Sequence, residues 1–164
     1  MALLIIPART MTQKARFLLN IILVFLIVVL DQVTKRTALY EIGLGESKEF
    51  IPGVIQFVVF SNTGGAFSIF KEYPIIFKII GLINVFVFSY FALYPLTPVN
   101  KLVGIGSACI LGGTIGNLLD RFLLGAVIDF LDFEFVKFAV FNLADVFIDI
   151  GVILIAIGCF RKKN

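Results

Sequence analysis

Two aspartates, Asp129 and Asp145, stand in settings that give a carboxylate little ordinary reason to be there: AVIDFL and FNLADVF. They belong to the run Gly112–Asp149, which also holds Asp120, Asp132, Glu134 and Asp149, and so six of the eleven acidic residues. An ionisable group in or beside hydrocarbon is costly and marks a functional site by default. The chain contains no histidine, which removes serine–histidine catalysis, cysteine–histidine catalysis and the HExxH metal site. Paired carboxylates without histidine point to acid–base chemistry of the aspartic-protease type. One carboxylate takes a proton from water while the other gives one to the scissile carbonyl. Two such groups a short distance apart cannot both ionise, so they share a proton, and their pKa values belong to the pair. A helix N-terminus favours an anion, which makes Asp145 the more readily ionised partner.

Each polar residue also has a plainer reading. An aspartate at a helix start commonly caps the helix, and for Asp145 that role stays open. Asp129 has no such role, and burying it unpartnered is expensive. Asp120 beside Arg121 reads as a structural ion pair. Asp31 and Lys35, four apart on one helical face, are placed to pair locally and read as orienting or substrate-contacting groups. Asn62, Asn117 and Asn142 are donors that hold the aspartates or bind substrate backbone. Asp132 and Glu134 read as solvated loop charges, and Asp149, one turn past Asp145, has no assigned role.

The elements that position these groups follow from hydropathy. The 164 residues are 60% hydrophobic and only 15% charged, with a mean hydropathy of +1.06. That balance belongs to an integral membrane protein, here read as one domain over residues 1–164. Helices long enough to cross a bilayer are expected at about 17–35, 73–94, 101–121 and 142–160. Residues 36–72, with glycines, Pro52 and β-prone runs such as VIQFVVF, are too broken to span and predict a small β-rich cap. Phe57, Phe60 and Phe67 of that cap are candidates to meet acyl chains. Gly112 and Gly116 form a GxxxG pair suited to close helix approach. Lys78 is positioned to snorkel from the second helix. Cys109 and Cys159 lie in apolar helices and are expected as buried free thiols. No zinc-ligand spacing occurs; no metal or cofactor is expected. Met11 opens a second basic start, MTQKAR, so the sequence leaves Met1 and Met11 open as initiator.

Charge sets the orientation. Arg9, Lys14, Arg16, Lys101, Arg161, Lys162 and Lys163 fall in the termini and the loop between the second and third helices, with no acid among them. By the positive-inside rule both termini are cytoplasmic. The flagged polar groups then converge near the outer face. The +3 net charge has no basic stripe with interleaved aromatics, which argues against nucleic acid.

Five blocks occur in order: DQVTK at Asp31–Lys35, NTGGAF at Asn62–Phe67, GNLLDR at Gly116–Arg121, VIDF at Val127–Phe130 and FNLAD at Phe141–Asp145. With the four helices they span nearly the whole chain from Phe17, and in them the chain resembles the lipoprotein signal peptidases, the type II signal peptidase family of bacterial membranes. The resemblance implies an all-α membrane protein of four transmembrane helices with a small β-rich extracytoplasmic cap. It puts catalytic aspartates at Asp129 and Asp145, and supporting positions at Asp31, Lys35, Asn62, Gly64, Asn117, Asp120, Arg121, Asn142 and Ala144. Asp149 departs from an apolar position of the family. The implied substrate is a diacylglyceryl-modified prolipoprotein, cut on the amino side of its lipidated cysteine in the bacterial cytoplasmic membrane. The expected partners are that substrate and membrane lipids, with the enzyme a monomer.

Two other classes compete. A proton- or ion-coupled transporter also uses intramembrane carboxylates, but near the midplane and often between internal repeats; here they lie at helix ends and no repeat is visible. A noncatalytic membrane scaffold explains the hydropathy and leaves the convergent aspartates without a reason.

Overall fold

The structure, a computed structural model, describes residues 12–65, 72–93 and 100–160. In chain order the elements are α1 (Gln13–Glu41), β1 (Ser47–Ile51), β2 (Ile55–Asn62), α2 (Pro74–Leu93), α3 (Lys101–Leu123), β3 (Val127–Phe133) and α4 (Leu143–Phe160). All four helices are long and apolar enough to cross a membrane, and the strands form one small antiparallel sheet. This is the expected fold class, with differences in what builds the sheet.

Helix α1 starts at Thr12, whose Oγ1 accepts from the Ala15 N–H at 3.3 Å. It runs six residues past Lys35, into the stretch expected as cap. No glycine or proline interrupts it until Gly43, whose φ of 96° takes the chain out of the helix. At 1.5 Å per residue, its 29 residues measure roughly 44 Å, more than the ~30 Å hydrocarbon core. The last turns therefore stand clear and support the sheet: Ala38 packs with Val59, Ile128 and Phe130.

The sheet has the order β1-β2-β3. Its third strand comes from between α3 and α4, where sequence alone suggests a loop. In β3, Ile128 and Phe130 face α1, while Val127 and Asp129 face the opposite side, towards a cavity. Both sets are buried, so a strand covered on both faces lacks the polar alternation that announces an amphipathic one.

Helix α3 is the centre of the bundle. Fourteen of its 23 residues are buried, against two of 20 in α2, whose Phe86 is 82% exposed on the outer surface. Small residues let the neighbours close in. A Cβ at Gly106 would meet the Gly151 carbonyl oxygen of α4 at 2.6 Å, and one at Gly112 would lie 2.9 Å from Ile27 of α1. Gly112 and Gly116 thus both serve the α1 contact. Lys78 lies over the Phe122 ring, 5.2 Å from its centroid. Both cysteines are free, but only Cys109 is buried; Cys159 is exposed near the end of α4.

Candidate active site

Strand β3 and the first turn of α4 bring Asp129 and Asp145 to the wall of one cavity of about 590 Å³. Asn62, Gly64, Asn117 and Arg121 line it as well. Asp129 is held from two sides: Asn62 Nδ2 donates to its Oδ2 at 2.9 Å, and Asn142 Nδ2 to its Oδ1 at 2.6 Å. Strand register explains the first bond, because Asn62 pairs with Val127 and is therefore diagonal to Asp129 across β2 and β3.

Asp145 accepts from Asn117 Nδ2 at 2.8 Å and from the Asn142 backbone N–H at 3.2 Å. Its own N–H donates to Asn142 Oδ1 at 3.1 Å, which makes a reciprocal capping box. The capping role is real and coexists with a place on the cavity wall. Burial lifts the Asp129 carboxyl from its ordinary range to about 6. Amide bonds from Asn62 and Asn142 oppose that rise, while the Asp145 charge adds to it. All three asparagines orient the carboxylates without themselves bringing a positive charge.

Behind this wall lies a charged support. The Lys35 ammonium directs its three donors at Asp31 Oδ2 and Asp120 Oδ2, both at 2.9 Å, and Asn117 Oδ1 at 2.8 Å. Lys35 is 2% exposed, Asp31 0% and Asp120 3%, and none of the three lines the cavity, a placement that suits the orienting role. Asp31 Oδ1 accepts from the Ala144 N–H at 3.1 Å, satisfying an amide left over at the start of α4. A Cβ at Gly116 would overlap the Asp31 carboxylate, so the glycine makes room for this contact. Asp120 Oδ2 also accepts from the Ile128 N–H at 3.2 Å, fixing the start of β3.

The expected Asp120–Arg121 ion pair is not the one formed. Successive helical residues point about 100° apart, so Asp120 turns to Lys35 and Arg121 turns to the cavity. There Arg121 donates to the Asn117 and Gly64 carbonyls at 3.4 and 3.3 Å and lies over the Phe77 ring. Gly64 in turn donates its N–H to Asn62 Oδ1 at 2.9 Å. Asp132 and Glu134 also have partners: Gln56 Nε2 at 2.8 Å across the strands, and the Gly53 N–H at 2.7 Å. Phe57 faces away from the aspartates and packs with Phe50 and Phe130. Phe60, opposite Asp129 in register, is 45% exposed, and Phe67 lies outside the described residues.

Two residues of the site were not singled out as such from sequence. Gln32 donates to Asp120 Oδ1 at 2.9 Å and to the Gly116 carbonyl at 3.2 Å, joining α1 to α3; its place beside Asp31 was the available signal. Asp149 lines the cavity, as its spacing of one turn from Asp145 permits.

The arrangement is that of a polytopic membrane enzyme. Two solved structures, each described as a bacterial membrane enzyme determined by the in meso method, superimpose with TM-scores of 0.78 and 0.77. They are 30% and 31% identical to this chain, covering 88% of it in each case and 93% and 94% of their own chains. The family described as Signal peptidase (SPase) II matches residues 23–161, and the chain belongs to that family of peptidases. The lipoprotein signal peptidase of Lactobacillus johnsonii is 38% identical over 88% of this chain and 94% of its own. That of Streptococcus pyogenes serotype M5 is 36% identical over 93% and 97%.

Proposed function

We propose that the protein is an intramembrane aspartic endopeptidase. It removes the signal peptide from diacylglyceryl-modified prolipoproteins, on the amino side of the lipidated cysteine. The observation that carries this reading is the convergence of Asp129 and Asp145 on one cavity, each held by neutral amide donors. One carboxylate removes a proton from water as its oxygen attacks the scissile carbonyl carbon. The partner carboxylic acid protonates the carbonyl oxygen, giving a tetrahedral intermediate. Collapse breaks the C–N bond: the leaving amine of the lipidated cysteine takes up the proton first removed from water, and a hydroxyl of the intermediate returns a proton to the partner carboxylate as the new carboxyl group forms. The pair returns to its one-proton state. Asp129, with its carboxyl lifted to about 6, suits the proton-holding role, and Asp145 at a helix N-terminus suits the ionised one.

Lys14, Arg16 and Lys101 cluster at the starts of α1 and α3, whereas the aspartates and the sheet gather at the opposite end. In a bacterial cytoplasmic membrane this orientation gives cytoplasmic termini and an active site near the outer face. A substrate with a spanning helix and acyl chains presents its scissile bond at that depth. The protein acts as a single domain and a monomer, since one chain supplies every group named.

The test is cleavage of a diacylglyceryl-modified signal peptide by purified protein, against the same peptide without lipid. Cleavage of the lipidated substrate alone, at the bond before the cysteine, is the expected result. Equal cleavage of both, or cleavage of neither, sinks the reading.

A further inference from the structure

Asp149 is the one acidic residue of the cavity wall that the mechanism leaves unused. It lies within the apolar part of α4 and is exposed. Among the described residues it has no hydrogen bond or ion pair, although Asp129 and Asp145 have several between them. Its direction follows from helix geometry. At about 100° per residue, the lining residues Asp145, Val146, Ile148, Asp149, Ile150 and Ile153 fan over about 200°, and Asp149 falls in the middle.

The opposite side of α4 is occupied. A Cβ at Gly113 of α3 would overlap the Ala144 carbonyl oxygen, and Gly151 meets Gly106 backbone to backbone. Asp149 therefore points away from the bundle, into the cavity. A carboxylate held there without a partner is costly, and a donor arriving with the substrate relieves that cost.

We propose that Asp149 is a specificity-determining residue: its carboxylate accepts a hydrogen bond from a hydroxyl, amide or amine side chain on the substrate segment preceding the scissile bond. This deepens the signal-peptidase reading and rests on it. Asp149 lies four residues beyond Asp145, about 6 Å further along the helix. That distance corresponds to about two substrate residues if the segment is extended, and about four if it is helical.

The experiment uses full-length protein and a set of lipidated peptides with serine or leucine placed singly at the second to fifth positions before the cysteine. Wild type, Asp149→Asn and Asp149→Leu are compared by kcat and KM on every peptide. In the wild type, one position is expected to favour serine by roughly tenfold in kcat/KM, the size of one hydrogen bond to a charged group. The preference resides in KM, vanishes or inverts in Asp149→Leu, and shrinks in Asp149→Asn, which keeps an acceptor but loses the charge. The same serine-to-leucine profile in all three proteins overturns the proposal. So does a uniform loss of kcat in both variants, which would place Asp149 in the acid–base machinery or in the fold. A wild type that cuts no lipidated peptide overturns the peptidase reading, and this proposal with it.

Discussion

Asn142 and Asp145 cap each other, and in doing so Asn142 is aimed at the second aspartate. The Asn142 N–H donates to Asp145 Oδ2 at 3.2 Å while the Asp145 N–H donates to Asn142 Oδ1 at 3.1 Å. With Oδ1 committed to that bond, Nδ2 is left to reach Asp129 Oδ1 at 2.6 Å. One side chain therefore sets the start of α4 and the orientation of Asp129 together.

Replacing Asn142 separates those roles. Asn142→Ala should lose both, with a stability cost of roughly 1 kcal/mol from the lost cap and a turnover loss on the order of 100-fold. Asn142→Ser restores a capping oxygen but is too short to donate to Asp129. Melting temperature should recover in the serine variant and turnover should not. Normal turnover with serine would show that the Asp129 contact is dispensable.

The two aspartates should behave as a unit. Asp129→Asn and Asp145→Asn each keep the size of the side chain and remove proton exchange, so each should abolish cleavage while the protein still folds and inserts. Losses within such a unit are not additive, and the double variant should be scarcely worse than either single one. Asp132→Asn, bonded to Gln56 away from the cavity, serves as control and should keep most activity. Near-normal turnover in either dyad variant would move the chemistry elsewhere.

Acidity gives a third check. Burial disfavours the ionised form of Asp129, so the group keeps its proton below about 6 and loses it above. Loss of that proton removes the general acid and leaves two anions facing one cavity. The kcat/KM profile should accordingly fall as pH rises through about 6, with the apparent value belonging to the pair. Rates measured about two units to either side of that value decide it. A rising limb there would reverse the assigned roles.

The support behind the site is a stability element. Lys35→Met leaves Asp31 and Asp120 buried without their shared cation, and loss of one member of such a group costs roughly 3–5 kcal/mol. Thermal unfolding in detergent should show a large drop in melting temperature. Adding Asp120→Asn to Lys35→Met should recover part of it, because one uncompensated charge is then gone. An unchanged melting temperature in the single variant would contradict the packing described.

Orientation is tested with reporters. One fused after Lys163 should be active only in the cytoplasm, and one inserted near Glu46, in the turn ahead of β1, only on the outer side. The opposite outcome at either place removes the proposed position of the active site.

The four apolar helices and the isolation of Asp129 and Asp145 are legible in the sequence because hydrocarbon makes every charge conspicuous. Longer-range pairings are not. The Lys35 contact to Asp120 joins residues 85 positions apart, and no local pattern distinguishes it from an Asp120–Arg121 pair until the helix directions are known. Strand β3 escaped for a related reason. Its ladder partner β2 lies before two intervening helices, and burial on both faces erased the alternation that marks a surface strand. The length of α1 was missed because hydropathy locates where a span ends and says nothing about where a helix ends. Gly43, the residue that stops it, was present in the sequence but gave no warning that the helix would reach so far.

The late position of α4 in the chain has a consequence for synthesis. A ribosome completes β1, β2, α2, α3 and the strand bearing Asp129 before it makes Asn142 and Asp145. Until those residues arrive, Asp129 lacks one of its two amide donors and the second carboxylate does not exist. The nascent protein can thus settle its first three helices in the bilayer with the proposed catalytic pair still unassembled, and insertion of the last helix is the event that completes it.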